Sequence, residues 1–578
     1  MPQFDNRNLK ASHGLNKHDL SYRNAFTSHF GMLLPFLVCD VVGNSRVELS
    51  CEHQTRTLPL NSAAFIRLRE HYDYFFVPYS QLYRQYDNFK TQQSNQNSML
   101  DKNAFPNIVT KLPSFTQSAM DTALQIFSGS GLIDAAGYNV SYGAARLFDL
   151  LGYGNYKAYN PASQSNPNII PTLSYNPFRL LAYQKIYFDY YRNDKYEENA
   201  TQYYNIDDLA SGASISAARL RQLSLIHYRW RRKDLFTQVT PDLLPSTNQF
   251  NRSGFNSIVG SFDSSFGTQF YLPTGDATTT RVTSSVQGSL GNPDNSSPTP
   301  LSGGTVDTYN QANASGVSRQ SAAQHRLIES RQRLLERMYA ANSDFSSQML
   351  AIYGYAPIEG RHGKVKHIGG FSELLNITDV NNNTVGYKST NEGTFGKINN
   401  IASSKNIKFH VPEDGIIMGI YSTDCMPDYS AKRVDRFNFK TVAEDYFNPY
   451  YEGLGKQALF SVEYCSETDD DVSNTGIIGM PNSIIGFVPR YAEYKDKVDE
   501  VHGQLDYGGI YENYTSAFNV DMRLSKPMLS LENLINKPMQ LNKIFYVDFT
   551  GEDTTDCFLL NLYNTVKVLA PIRKNSEL

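Results

Sequence analysis

Residues 64–89, AFIRLREHYDYFFVPYSQLYRQYDNF, carry two periodicities that meet at a proline. Leu68, Tyr72, Tyr74 and Phe76 fall on one parity and Arg69, His71 and Asp73 on the other, which predicts a strand with one buried face. Proline has no amide proton for a sheet ladder, so Val77 and Pro78 end that strand. Leu82, Tyr86 and Phe89 then recur at i, i+4 and i+7, as on one side of a helix, with Ser80 in place to cap it.

Working outward, the composition is that of a folded, contact-rich protein. Of 578 residues, 19% are charged and 13% aromatic, and 39 Tyr and 33 Phe stand beside a single Trp. A large core is affordable, with amphipathic tyrosines left over for contacts between subunits. The formal charge of −4 argues against condensing nucleic acid by net charge, so any such contact must be local. Five cysteines, at 39, 51, 425, 465 and 557, are odd in number and form no C-x-x-C pair. That predicts neither a disulfide framework nor a zinc ribbon and fits a reducing compartment. The first 30 residues lack the apolar core of a secretion signal, and the apolar run 30–42 is interrupted by Pro35 and Asp40, so no membrane insertion is expected.

Residues 1–25 read as a polar arm, and short strands follow over 26–42, 46–49 and 55–58. The segment 90–176 is rich in Gly, Asn, Ser and Pro, with one helical candidate at 141–151. From Asn176, as cap, and Pro177 a nearly all-round apolar helix runs to Arg192, with Lys185, Asp189 and Arg192 as a narrow polar stripe. HYRWRRKDLF, 227–236, holds the lone Trp and four cations. Residues 243–318 contain six charged residues and neither Lys nor Glu, a composition that cannot bury a core of its own and marks an insertion. Helical spacing returns over 320–340, 376–400 reads as an Asn and Gly-rich loop, and 405–420 alternates as a strand interrupted at Pro412–Gly415, which predicts a hairpin. Further strands are expected at 460–465, 484–488, 515–522, 543–549 and 558–568. Counted together these suffice for a mainly β, eight-stranded double-sheet barrel.

Four words carry a resemblance: the aromatic strand ending in FFVP, NPFRLLAYQKIYFDYYRN, SRQRLLERMYAANSDFSSQML and GFVPRYAEYK. Together with the basic segment 227–236, the chain resembles the major capsid proteins of the Microviridae, in their gokushovirus-like and Bacteroidetes-associated branches. The resemblance implies a viral jelly roll with long loop and helical insertions. It also implies a virion protein made in the host bacterial cytoplasm, with about sixty copies closing a T=1 icosahedral shell around single-stranded DNA. Implied partners are packaged DNA, minor viral proteins (internal scaffolding, pilot and small DNA-binding proteins) and a host surface receptor or glycan.

On this reading the chain divides into an arm (1–25), first jelly-roll strands and helix (26–89), inserted loops and helices (90–242), a surface protrusion (243–318), a helix and loop insertion (319–400) and the remaining strands with the tail (401–578). Arg229, Trp230, Arg231, Arg232 and Lys233 are the candidate DNA-facing residues, joining charge to stacking. The alternatives are a solvated turn or arginines paired across a subunit contact.

Common catalytic signatures are absent: no G-x-x-x-x-G-K-[ST], no H-E-x-x-H and no G-x-S-x-G. No catalytic, cofactor or metal residues are expected. Asp469, Asp470 and Asp471 offer clustered oxygens for Ca²⁺ but lack the alternation and glycine of an EF-hand loop, so a solvated acidic turn is the simpler reading. The competing function class is a carbohydrate-binding or carbohydrate-active β-sandwich, which requires a secretion signal and favours more Trp.

Overall fold

A computed structural model of the chain describes residues 14–58, 65–91, 111–128, 140–154, 173–240, 269–273, 279–283, 290–291, 322–355, 363–375, 377–378, 397–403, 406–441, 443–464, 484–506, 508–517, 544–545 and 556–573. Contacts divide it into two units, residues 1–243 with 357–578, and residues 244–356.

The first unit opens with β1 (Asn16–Asp19), β2 (Tyr22–Ser28), β3 (Leu34–Val41), β4 (Arg46–Thr57) and β5 (Leu68–Pro78). Two short helices follow, α1 (Tyr79–Leu82) and α2 (Tyr86–Thr91). Next come β6 (Phe115–Thr116), α3 (Gln117–Ser128), α4 (Val140–Leu150), β7 (Ser174–Tyr175), α5 (Phe178–Ile186) and α6 (Ala217–Leu223). The second unit contributes β8 (Gln269–Pro273), β9 (Thr279–Thr283) and β10 (Leu290–Gly291) as one antiparallel sheet, then α7 (Ala322–Ala340) and α8 (Phe345–Tyr353). Back in the first unit are β11 (Lys366–Leu375), β12 (Ile377–Thr378), β13 (Lys397–Ser403), β14 (Ile407–His410), β15 (Gly415–Cys425), β16 (Tyr429–Ser430), β17 (Lys456–Phe460), β18 (Ile484–Pro489), β19 (Glu500–Val501) and β20 (Phe558–Ala570).

Two antiparallel sheets dominate. One has the order β11-β5-β15-β3, and the other is built on β20 and β4, with β1 and β2 on β20 and with β13 and β14 on β4. Their facing sides share one core, in which Phe36 of β3, Tyr72 and Tyr74 of β5, Tyr421 of β15, Cys51 of β4 and Leu562 of β20 are all buried. The second face of the four-stranded sheet is covered by helices α3 to α6, through Phe75, Ile416, Met418 and Ile420 on the sheet side and Leu147, Leu180, Tyr183 and Leu220 on the helical side.

The opening strand alternates as its sequence predicts from Leu68 to Tyr74, and is buried on both faces from Tyr74 to Pro78, because the helical layer covers it there. Glu70, on the buried parity, is fully enclosed; it accepts from the hydroxyls of Tyr72 and Tyr421, each at 3.2 Å. Burial outweighs those bonds and raises its carboxyl to about 7.

Several expectations change. Ser80 does not cap the next helix: Pro78 holds the cap position, and the Ser80 hydroxyl donates instead to Glu413 at 2.9 Å. The single helix expected through Leu82, Tyr86 and Phe89 is two, because Tyr83 is extended and Asp207 captures the Arg84 amide. The hairpin expected across Pro412–Gly415 is instead a passage between sheets, β14 pairing with β4 and β15 with β5 and β3. Of residues 1–25, 16–19 and 22–25 are strand paired on β20, because they alternate in register with it. The segments expected at 46–49 and 55–58 are parts of one strand, β4. The loop expected over 376–400 contains β12 and the start of β13. Strand 460–465 is displaced upstream to β17, with a 3-10 turn at Ser461–Glu463, and 515–517 is irregular. Most of the strands expected at 515–522 and 543–549, and all of Asp469–Asp471, lie outside the described residues.

The four described cysteines, Cys39, Cys51, Cys425 and Cys557, are buried, and burial pushes the Cys51 thiol up to about 12.

Candidate nucleic-acid interface

The basic segment is positioned by α5. Asn176 bonds the Phe178 amide at 2.8 Å, Pro177 supplies a fixed backbone angle, and the helix is buried almost all round before ending in a π-helical turn, Tyr187–Tyr191. Its polar stripe is internal. Lys185 pairs with Asp189 at 3.2 Å, and Asp189 also accepts the Val365 amide, so both charges are satisfied away from water.

From this helix Gln184 donates to the carbonyls of Leu223 and Leu225, both at 2.8 Å, which fixes the exit of α6. His227 follows, stacked on Tyr187 with centroids 3.6 Å apart and bonded to Gln184 Oε1 at 2.6 Å. Burial drives its imidazole down to about 3, so it is neutral. The next residues run beside the entry to β3, with Arg229 N donating to Gly31 O and Tyr228 bridging Met32.

The five candidate residues separate sharply. Arg229 points inward; its guanidinium lies 3.5 Å from Asp73, 3.1 Å from the Ser422 hydroxyl and 5.6 Å from the Tyr191 ring centre. Burial alone would raise the Asp73 carboxyl, but His367, Arg229 and Tyr191 outweigh it and hold that group below its ordinary value. Trp230 is half-buried against Tyr196, ring centres 5.8 Å apart. Arg231 is buried. Arg232 and Lys233 alone among the five are exposed. Directly after them Asp234 closes a turn, accepting the amides of Phe236 and Thr237 at 2.9 Å and the Tyr429 hydroxyl at 2.7 Å, while Phe236 anchors it in the small core under β17 and β18.

The sequence shows a cationic segment but not which of its cations face solvent. Nor does it show Lys195, whose ammonium is depressed by burial and, less, by the charge of Lys233, with Asp194 acting in the opposite sense. Asp73 was legible only as a polar strand residue; its role as the anchor for Arg229 depends on a partner 156 residues away.

GFVPRYAEYK makes a second ionic centre, structural rather than surface. Tyr491 is buried with φ of 60°, a left-handed backbone, and Glu493 receives Lys440 Nζ at 2.6 Å and Gln457 Nε2 at 2.6 Å. Lys440 lies 4.6 Å from the ring centres of both Phe437 and Tyr494.

Among the described residues no three His, Cys, Asp or Glu stand together as a metal set, and no helix is long and apolar enough to cross a membrane. Compared with known protein families, the chain matches the family described as capsid protein (F protein) over residues 8–128 and 153–572. No curated protein matches it.

Proposed function

The chain belongs to the capsid protein (F protein) family and is the major capsid protein of a single-stranded DNA phage of the Microviridae, and from that premise we propose that about sixty copies close into a T=1 shell. The observation that carries the proposal is the face-to-face pair of antiparallel sheets on one aromatic core. If β1 with β2, and β13 with β14, each count as one interrupted strand, the sandwich has β20, β4 and these two composites facing β11, β5, β15 and β3. This supports an eight-stranded jelly roll, the architecture by which a β sandwich presents its loops for lateral closure.

The family is structural, and the chain acts by assembly rather than catalysis. Exposed apolar side chains supply contact surface: Tyr450 is 93% exposed, Ile510 beside Tyr511 79% and Phe65 70%. Arg232 and Lys233 face the packaged DNA, while Arg229, Trp230 and Arg231 hold the segment in place. Residues 243–318 form an outer protrusion that takes part in attachment to a host receptor or glycan. Internal scaffolding, pilot and small DNA-binding proteins complete the particle, which is assembled in the host bacterial cytoplasm. Electron microscopy of purified protein tests the assembly: closed shells of uniform diameter are expected, and monodisperse monomers under every assembly condition would refute it. Glycoside hydrolysis lost on mutating one carboxylate would return the sandwich to the carbohydrate-active class.

A further inference from the structure

The register of four strands builds a second cationic surface, from residues outside the basic segment. On β4 the even-numbered residues Arg46 to Arg56 face away from the core while Val47, Leu49 and Cys51 are buried, and β20 and β1 keep the same alternation. In this register Leu569 lies opposite both Lys17 and Arg46, and Arg46 lies opposite His410. Two residues along, Lys567 lies opposite both Asp19 and Glu48, and Glu48 lies opposite Lys408. These two rows enclose a groove of about 470 Å³ whose polar lining is Lys17, Arg46, Glu48, Lys408, His410 and Lys567.

Four cations in these rows meet two carboxylates. Glu48 is engaged with Lys408 at 3.5 Å, and Asp19 accepts the Ser21 amide at 3.0 Å and its hydroxyl, with Lys567 and Lys17 nearby. Surplus positive charge therefore remains on a chain whose total is −4. Farther along the same face Tyr563 of β20 stands opposite Arg23 and Glu52, and is 47% exposed. From Leu569 to Tyr563 the track is about 20 Å long at the usual rise of a strand. The row of Lys17, Leu569, Arg46 and His410 holds no carboxylate of its own, so its cations are the ones an external anion would meet.

We propose that this face of the β1-β20-β4-β14 sheet binds the phosphate backbone of single-stranded DNA, with Lys17, Arg46, Lys408 and Lys567 taking phosphates and Tyr563 offering a ring on which a base stacks. The assignment rests on the capsid reading for the identity of the polyanion. A fixed row of cations beside an exposed aromatic is the arrangement that holds single strands without reading sequence.

The test uses full-length protein and a fluorescent oligo-dT, titrated at several salt concentrations. The triple variant Lys17→Gln, Lys408→Gln, Lys567→Gln is expected to bind at least tenfold more weakly at low salt, and the slope of log affinity against log salt is expected to fall by about two. Tyr563→Ala is expected to weaken binding several-fold with the salt slope unchanged. Because a variant can fail to fold, ultraviolet crosslinking of the wild-type protein to bromodeoxyuridine oligonucleotide gives a second readout, with adducts expected on the peptide containing Tyr563. Unchanged affinity and slope in a folded triple variant would overturn the proposal, as would adducts confined to residues 227–236. It would equally fail if the triple variant lost association between subunits while binding oligo-dT normally, since the face would then be a contact between copies. Shell formation, scored separately by microscopy, tests the capsid reading itself.

Discussion

Nη1 of Arg229 lies 3.5 Å from Oδ2 of Asp73, and the Tyr191 hydroxyl donates to that same oxygen at 2.9 Å. One carboxylate on β5 thus joins the opening strand, the π turn after α5 and the basic segment, three stretches far apart in the chain. Arg229 is held by this junction and is not available as a free surface charge.

Removing it should therefore act on stability. Arg229→Ala is expected to lower unfolding free energy by about 2 kcal/mol, the scale of a lost hydrogen bond to a partly buried charged group. Arg232→Gln with Lys233→Gln should leave the urea midpoint unchanged while weakening oligo-dT binding. Equal midpoints for Arg229→Ala and wild type would show that the junction is not structural.

A pH dependence follows from Glu70. Its carboxyl is raised from 4.5 to about 7, chiefly by burial, so the folded chain keeps a proton that the unfolded chain gives up. That contribution is complete below the ordinary value and is lost as pH rises through about 7. Glu70→Gln, which cannot ionise, should flatten this fall in the denaturation midpoint measured between about pH 5 and pH 8. A wild-type profile parallel to that of the variant would exclude Glu70 as its source.

The Lys440–Glu493 pair is nearly enclosed, with side chains 2% and 6% exposed. Glu493→Gln leaves the lysine without its closest countercharge and should cost about 3 kcal/mol, the usual penalty for breaking one side of a buried pair. Denaturant unfolding measures this directly; a loss below about 1 kcal/mol would mean that Arg436 and the aromatic rings matter more than the ion pair.

Joining Pro241 to Ser321 through a short Gly/Ser linker removes the low-charge segment. Shells are expected to form and to lose adsorption to host cells, because the segment has little apolar content to contribute to a core. Failure to assemble would make the segment structural, and normal adsorption would remove its attachment role.

Some of this was fixed by local chemistry. Alternation from Leu68 to Tyr74, the block to further pairing at Pro78, the start of α5 at Asn176–Pro177 and the charge-poor stretch 243–318 are properties of neighbouring residues, and the resemblance carried by a few words reached the correct family. The destination of each strand was decided elsewhere. Gly415–Cys425 continues a pattern that reads as half a hairpin, yet its partners are β5 and β3, because closing a core between two sheets buries more than pairing with the strand before it. The same holds for charge. HYRWRRKDLF shows four cations without distinguishing Arg229 and Arg231, drawn inside the fold, from Arg232 and Lys233, left in water. Lys17, Arg46, Lys408 and Lys567 are isolated in sequence and become one surface only through strand register, which is set by burial of the opposite face and is invisible to any local window.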